Sequence, residues 1–307
     1  MILIADLGAT NARFCITKDG NSYSNKVSYP INSFDGLEKL CNAYLASQDL
    51  VGIQKAVIGV AAPITGDIVN FINTNLEFSI QHLRNKLFPD GLIVVNDLAL
   101  QANALFGIDE KNLSYIGEKK LNELPKILVS PGTGLGLAGI VRDTVIATEA
   151  GHINISDKIV NQDLKSIIDR FSKENSRAPT YEDFLSGKGI IYFYESLFGS
   201  SNTELSSEAI LLGRKDDNCL EVIKLLNHLL ASYLRYVTLV WGSTGGVFLS
   251  GSIVKSLVLQ EDYSDFRSTF EDSDTMSVVL KSTPLAIVTL EDIGFVGGME
   301  IAKKLIN

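Results

Sequence analysis

Asn96 and Asp97 stand directly after the apolar run Leu92-Ile93-Val94-Val95 and directly before Leu98-Ala99-Leu100-Gln101-Ala102-Asn103-Ala104-Leu105-Phe106. The run reads as a strand and the segment after it as a helix, which puts an amide and a carboxylate at a strand's carboxyl end, where open α/β sheets bind ligands. A carboxylate there can take a proton from a hydroxyl; it can equally do no more than cap the helix. Glu149 and His152 flank the small pair Ala150-Gly151 at the end of another strand. Of the three histidines, His82 in a polar helix and His228 in a long apolar helix suit structural roles, and His152 is the one placed for chemistry. Neither Glu149 nor His152 has metal-ligand company, so hydroxyls of a polar substrate suit them better than zinc. Glu182, within Thr180-Tyr181-Glu182-Asp183, has the spacing of a first-turn acid in a capping box and is read so from spacing alone.

Two turns carry unusually little side-chain bulk. The first, Asp6-Leu7-Gly8-Ala9-Thr10-Asn11, lies between two strands, and the second runs through Gly132-Thr133-Gly134. Small residues let backbone N–H groups approach a phosphate closely, although either turn alone is also a plain tight hairpin. Facing each other across a cleft, two such hairpins could hold a polyphosphate from both sides. Gly134, Gly136 and Gly139 formally match G-x-G-x-x-G, but the segment after them reads as strand, not helix, so a dinucleotide-binding fold is rejected. No P-loop pattern occurs. Gly245-Gly246 and Gly251, around the apolar Val247-Phe248-Leu249, leave room for a flat ring such as adenine. Lys188 in Ser186-Gly187-Lys188-Gly189 is read as an exposed lysine.

The elements that must position these residues are α/β. Strands are expected at Ile2–Ala5, Ala12–Thr17 and Ser22–Tyr29, with Asp19-Gly20 turning the second hairpin. A helix from Ser33 to about Leu45 follows, with apolar residues three and four apart. Then come strands Lys55–Val60 and Ile68–Ile72, Asn73-Thr74-Asn75, a helix Ile80–Leu87 and the strand ending at Asp97. Gly107 to Leu124 is polar and reads as a crossing between lobes. Beyond it lie strands Lys126–Val129, Leu135–Val141 and Thr144–Ala147, helices Asp157–Phe171, Ile190–Leu197 and Cys219–Trp241, and the segment Ser206–Leu212 before the last of these. A strand through Gly245–Ile253, a helix Asp262–Glu271, a strand Leu285–Val288 and a last helix from Glu291 complete the chain. Gly294, Gly297 and Gly298 in that helix imply close packing against another helix or a ligand. The domain reading is a small lobe of 1–106 plus about 291–307 and a large lobe of 107–290.

Composition narrows the class. A chain of 307 residues, 46% apolar and 21% charged, has the balance of a soluble globular protein and the length for two lobes. Its 27 basic and 36 acidic residues give −9, against a nucleic-acid partner bound by phosphate neutralisation. Cys15, Cys41 and Cys219 are odd in number and show no C-x-x-C, so neither a disulfide framework nor zinc is indicated and a reducing cytoplasm fits. Cys219–Trp241 is too polar to span a bilayer, and no signal peptide is read at Met1–Asp6.

In order, Asp6-Leu7-Gly8-Ala9-Thr10-Asn11-Ala12-Arg13, Ala62-Pro63-Ile64-Thr65-Gly66-Asp67, Asn96-Asp97, Gly132-Thr133-Gly134-Leu135-Gly136, Glu149-Ala150-Gly151-His152, Leu185-Ser186-Gly187 and Gly245-Gly246-Val247-Phe248 resemble the motifs of bacterial-type glucokinases across almost the whole chain. The resemblance implies an α/β, two-lobed actin-like ATPase (ribonuclease H-like) sugar-kinase fold with an interlobe cleft. It implies ATP-dependent phosphorylation of glucose at the 6-hydroxyl, Asp97 as general base with Asn96 beside it, and Glu149, His152 and Glu182 on the sugar. It assigns Asp6 to magnesium indirectly, Gly8, Ala9, Thr10, Asn11, Gly132, Thr133 and Gly134 to the phosphates, and Gly246 and Gly251 to the nucleoside side. Homodimers are common in the family. Ala9, Ala150, Thr148 and Ser252 stand where its members usually carry glycine, and Leu76 replaces an aromatic; at any of the four that needs positive φ, strain is expected. Another hexose or an amino sugar as substrate, and a sugar sensor that has lost catalysis, are the competing readings.

Overall fold

The computed structural model describes residues 1–71, 76–117, 122–155, 161–199, 205–213, 215–258 and 263–306. Asn73, Thr74, Asn75 and the expected helix start at Asp157 lie outside them. The chain forms two compact units: Met1–Glu110 with Leu290–Asn307, and Lys111–Thr289.

The first unit is built on a sheet of order β3-β2-β1-β4-β7. Its members are β1 (Ile2–Leu7), β2 (Asn11–Thr17), β3 (Tyr23–Pro30), β4 (Lys55–Val60) and, after the short pair β5 (Ile68–Asn70) and β6 (Glu77–Ser79), β7 (Gly91–Asn96). β1, β4 and β7 are parallel, and their near-continuous apolar sequences suit strands covered on both faces. β3 carries Lys26 and Pro30 and is largely exposed, as suits an edge. One face of the sheet packs Leu3, Ala5 and Phe14 against Leu40 and Tyr44 of α1 (Leu37–Ser47) and against Phe88, which follows α2 (Ile80–Leu87). On the other face, Ile2 and Val57 pack with Leu100 of α3 (Asp97–Asn103) and Ile301 of the C-terminal helix Ile293–Ile306.

Sequence spacing starts the first helix too early. Ile31–Ser33 is a short 3₁₀ turn and α1 begins at Leu37, because Gly36 adopts φ +126° and breaks the path from Ser33. The glycines of the C-terminal helix pack as their types imply. A Cβ on Gly297 would stand 1.8 Å from the Leu100 carbonyl oxygen of α3, and one on Gly298 would stand 2.4 Å from Ile4.

The second unit repeats the pattern in a sheet of order β11-β10-β9-β12-β13-β8. Its strands are β8 (Leu113–Tyr115), β9 (Lys126–Pro131), β10 (Leu135–Val141), β11 (Thr144–Thr148), β12 (Gly246–Leu249) and β13 (Leu285–Val288). Again a three-stranded antiparallel meander, β9-β10-β11, borders parallel strands, β9-β12-β13. Between them run α4 (Gln162–Asn175), α5 (Tyr181–Phe184), α6 (Gly187–Phe198), α7 (Ser207–Leu212) and α8 (Asp217–Trp241). α8 is the core of this unit: Asp216 caps its start, Gly242 at φ +59° ends it, and Leu226, Leu229, Leu230, Tyr233 and Leu234 are buried. α9 (Ser252–Val258), α10 (Ser264–Glu271) and α11 (Ser277–Ser282) complete it.

Three expectations change here. Gly107 to Leu124 is no mere crossing, since Leu113–Tyr115 forms an edge strand on β13. The strand expected through Ile253 stops at Leu249; Gly251, at φ +96°, turns the chain into α9. α6 begins at Gly187, three residues before Ile190, because the Ser186 hydroxyl caps it by accepting the Gly189 N–H. Among the described residues, no helix is long and apolar enough to cross a membrane.

Candidate active site

In the first unit the parallel register aligns Leu7 with Val60 and Val60 with Asn96, so the turn after β1, the loop after β4 and the start of α3 share one sheet edge. Asn96, not Asp97, caps α3: its Oδ1 accepts the N–H groups of Leu98 at 2.9 Å and Ala99 at 3.2 Å. Its Nδ2 lies 3.5 Å from the Ala62 carbonyl oxygen in the loop after β4. Asp97 is the first residue inside the helix, and its Oδ1 also receives the Leu98 N–H, at 2.8 Å. Helix capping therefore accounts for the amide of the pair, and the carboxylate is a first-turn acid of α3 that accepts one N–H.

Asp6 is the one polar side chain of β1, and it is buried. Arg13, its cross-strand partner, donates from Nη2 to Oδ2 at 2.7 Å. Burial pushes the Asp6 carboxyl up, the Arg13 guanidinium draws it back, and the Asp292 charge adds a further upward push. Gly294 is glycine because a Cβ there would stand 2.3 Å from Asp6 Oδ2, so the carboxylate rests against the first turn of the C-terminal helix. Sequence inspection gave Arg13 no role, although an acid and a base placed symmetrically about a hairpin turn are a legible sign of a cross-strand ion pair.

The two small-residue turns are alike. The Gly8 N–H donates to the Asn11 carbonyl at 3.0 Å, and the Gly132 N–H donates to the Gly134 carbonyl at 2.7 Å. Among the described residues, the N–H groups of Ala9, Thr10, Thr133 and Gly134 carry no hydrogen bond. Gly8 and Gly132 do not have positive φ; a Cβ on Gly8 would meet only the Asn11 carbonyl oxygen at 3.6 Å, and one on Gly132 would meet nothing within 4 Å. The protein's own packing thus does not require glycine at either place. Gly246 and Gly251 differ, because their φ of +141° and +96° and their closeness to Phe248 and Pro131 account for glycine structurally, as does the Leu124 carbonyl 2.0 Å from a Cβ on Gly245. Room for an adenine ring is not needed to explain these three. Ala9, Thr148, Ala150 and Ser252 all have ordinary φ, so the strain expected of a misplaced alanine, threonine or serine is absent.

In the second unit Glu149, His152 and Glu182 come together. His152 Nε2 is 3.8 Å from Glu149 Oε2, and its Nδ1 is 3.9 Å from Glu182 Oε1. All three side chains are partly exposed. Glu182 lies in the first turn of α5, as its spacing suggests, and Thr180 and Asp183 make the capping box. Glu182 Oε2 accepts the Leu135 N–H at 2.9 Å, just beyond the Gly132–Gly134 turn. A Cβ on Gly134 would stand 2.6 Å from that oxygen, and one on Gly151 would stand 2.1 Å from the Leu135 carbonyl oxygen. Those glycines let the turn, the Glu149–His152 segment and α5 close on one another. The gaps beside the imidazole are too wide for direct hydrogen bonds and suit hydroxyl groups, which donate and accept at once. His82, paired with Glu38 at 3.5 Å, and half-buried His228, whose pKa burial lowers, stand apart from this cluster. Lys188 is exposed.

Comparison with known proteins adds a second line of evidence. A glucokinase family model matches residues 3–305. A glucokinase of Neisseria gonorrhoeae is 31% identical over 306 residues, covering 96% of this chain and 92% of that protein. Among solved structures, a glucokinase from an Antarctic psychrotroph superposes with a TM-score of 0.80 at 26% identity, over 98% of both chains. A ROK family glucokinase from Streptomyces griseus, in complex with glucose and AMPPNP, gives a TM-score of 0.69 at 14% identity and 99% coverage of both.

Proposed function

This chain belongs to the glucokinase family, with the actin-like ATPase fold of its sugar kinases, and from that premise we propose that it transfers the γ-phosphoryl group of ATP to the 6-hydroxyl of glucose. The products are glucose 6-phosphate and ADP. One observation carries the reading: the imidazole of His152 standing 3.8 and 3.9 Å from two carboxylates that no metal site explains. Among the described residues, no group of three His, Cys, Asp or Glu side chains could hold a metal ion. Glu149 and Glu182 accept from sugar hydroxyls, while His152 donates or accepts according to tautomer. The structural neighbour from Streptomyces griseus, in complex with glucose and AMPPNP, is the precedent for both substrates.

In this proposal Asp97 is the general base. As the oxygen of the 6-hydroxyl forms its bond to the γ-phosphorus, the bond from that phosphorus to the β,γ-bridging oxygen breaks, ADP leaves, and the hydroxyl proton passes to Asp97. Asn96 fixes the first turn of α3 with its oxygen and offers its Nδ2 to the sugar. Charge spreads over the γ-phosphoryl oxygens, and the N–H groups of Ala9, Thr10, Thr133 and Gly134 supply donors for the phosphates. Asp6, buried at the foot of the first turn with its Oδ2 taken by Arg13, would hold a magnesium ion arriving with the nucleotide indirectly, and that ion would supply neutralisation of phosphate charge. The three buried thiols suit a reducing cytoplasm.

The primary test is magnesium- and ATP-dependent phosphorylation across a sugar panel led by glucose. Turnover of glucose with kcat/KM above every other hexose and amino sugar is expected; binding of sugar without turnover would sink the catalytic assignment. Two substitutions probe the parts separately. Glu149→Gln should raise KM for glucose by roughly tenfold, the worth of a charge-assisted hydrogen bond, with KM for ATP unmoved. Gly132→Ala should leave the melting temperature unchanged, since a Cβ there meets nothing, yet raise KM for ATP by about tenfold as the added methyl holds the phosphates off the turn. A Gly132→Ala enzyme with wild-type ATP kinetics would remove the phosphate role of that turn.

A further inference from the structure

Asp292 stands immediately before the C-terminal helix Ile293–Ile306, where an acid ordinarily accepts the first N–H groups of its own helix. Its carboxylate is turned elsewhere. Oδ2 accepts from the Tyr23 hydroxyl at 2.8 Å and from Lys26 Nζ at 2.7 Å, donors on β3 that lie 269 and 266 residues earlier in the chain. With its side chain only 15% exposed, Asp292 is no freely solvated partner. The Asp292 carbonyl meanwhile accepts the N–H groups of Phe295 at 3.0 Å and Val296 at 3.1 Å, and the Tyr23 ring lies beside that of Phe295, centroids 5.3 Å apart. The edge strand thus grips the first turn of the helix. Gly294, inside that turn, is the residue that rests against Asp6, since a Cβ there would stand 2.3 Å from Oδ2. Arg13 holds the same oxygen from the neighbouring strand at 2.7 Å. Asp6 is therefore seated between a guanidinium and a helix end, and helix ends fray unless they are tied down. Direct contacts run without a break from Tyr23 and Lys26 through Asp292 and the turn of Gly294 to the Asp6 carboxylate.

We propose that Asp292 is a positioning residue for Asp6: gripped by Tyr23 and Lys26, it keeps the first turn of the C-terminal helix against the Asp6 carboxylate and so fixes that carboxylate at the foot of the phosphate turn. The inference rests on the reading of Asp6 as the acid that serves the nucleotide. Once released, the turn leaves the carboxylate free to rotate, and ordering it again counts against nucleotide binding. Sugar binding is spared, because Glu149, His152 and Glu182 belong to the second unit. Gly297, further along the same helix, keeps its seat on Leu100 and holds α3 with Asn96 and Asp97 in place.

The test uses the full chain and reads the dissociation constant of magnesium-ADP by titration calorimetry without sugar, together with glucose KM and melting temperature. Expected for Asp292→Ala is a magnesium-ADP constant raised about fivefold, the worth of an ordinary hydrogen bond, with glucose KM unchanged. Tyr23→Phe combined with Lys26→Met should do the same, since it keeps Asp292 and the ring beside Phe295 but removes both donors. In an Asp6→Asn background, Asp292→Ala should shift the constant by less than about twofold, because the two carboxylates act as one unit. Native magnesium-ADP affinity in Asp292→Ala overturns the proposal whether or not the melting temperature falls, the ion pair then being a fastening of the fold alone. Weakening by only one of the two grip variants, an equal rise in glucose KM, or an effect that persists without the Asp6 carboxylate overturns it too. If Asp6→Asn by itself leaves magnesium-ADP affinity native, the reading of Asp6 fails and the proposal with it, an outcome distinct from the others.

Discussion

Asp97→Asn lowers kcat by about 10²–10⁴-fold, the usual worth of a lost general base, while the melting temperature and the KM for glucose stay close to native. The substitution keeps the volume of the side chain but replaces the charged acceptor by a neutral amide, which cannot take a proton at neutral pH. Stability is spared because Asn96, not Asp97, caps α3, accepting the Leu98 and Ala99 N–H groups. The new amide can still offer an oxygen to the Leu98 N–H that Asp97 Oδ1 now receives at 2.8 Å. Loss of activity therefore cannot come from loss of fold, and unfolding curves run beside the kinetics establish that. A fall in kcat smaller than about tenfold would reject Asp97 as the base, since weak transition-state contacts alone are worth that much.

Gly297→Ala destabilises the protein by about 3 kcal/mol, at the upper end of the usual cost of overpacking. Two effects oppose each other at this position. Replacing a mid-helix glycine by alanine favours the helix by ~1 kcal/mol. Against this, the new Cβ would stand 1.8 Å from the Leu100 carbonyl oxygen and 3.1 Å from the Ala104 nitrogen. Both neighbours are backbone and cannot rotate aside, so the helices must separate and the clash wins. Because Leu100 lies on α3, whose first residue is Asp97, the displacement also reaches the proposed base, and kcat should fall with stability. Denaturant unfolding measures the first effect; a change within about 0.5 kcal/mol would mean that the two helices do not pack as described. Gly132→Ala is the natural control, being a glycine with open space around it.

The frame of this fold was readable wherever a local pattern was strong. Leu92–Val95 ending in Asn96-Asp97 announced a strand edge, Lys55–Val60 a buried strand, and the run to Trp241 a long interior helix. What escaped depends on partners distant in sequence. Leu113–Tyr115 is too short and too polar in its surroundings to announce itself, and it becomes a strand only because β13, some 170 residues later, offers an edge. Gly36 and Gly251 moved two element boundaries through backbone angles that composition does not encode. The capping-box spacing around Glu182 was real, yet Asp183 fills it, and Glu182 is turned to a backbone N–H 47 residues away. Arg13 belonged to a quoted motif but acquired a task only when the hairpin register set it opposite Asp6.

The first unit is made of two separated stretches of chain, Met1–Glu110 and Leu290–Asn307, and this sets an order of events during synthesis. When β7 and α3 leave the ribosome, one face of their sheet still lacks the helix whose Ile301 covers Ile2 and Val57. About 180 residues must be translated before that helix exists, a wait on the order of 10–40 s at about 5–20 residues per second. Throughout that interval the unit bearing Asp97 presents an uncovered apolar face, while the continuous second unit is free to fold as soon as it emerges. Chaperone engagement of the nascent chain should accordingly persist until Ile293–Ile306 has been released, and should concentrate on β1 and β4.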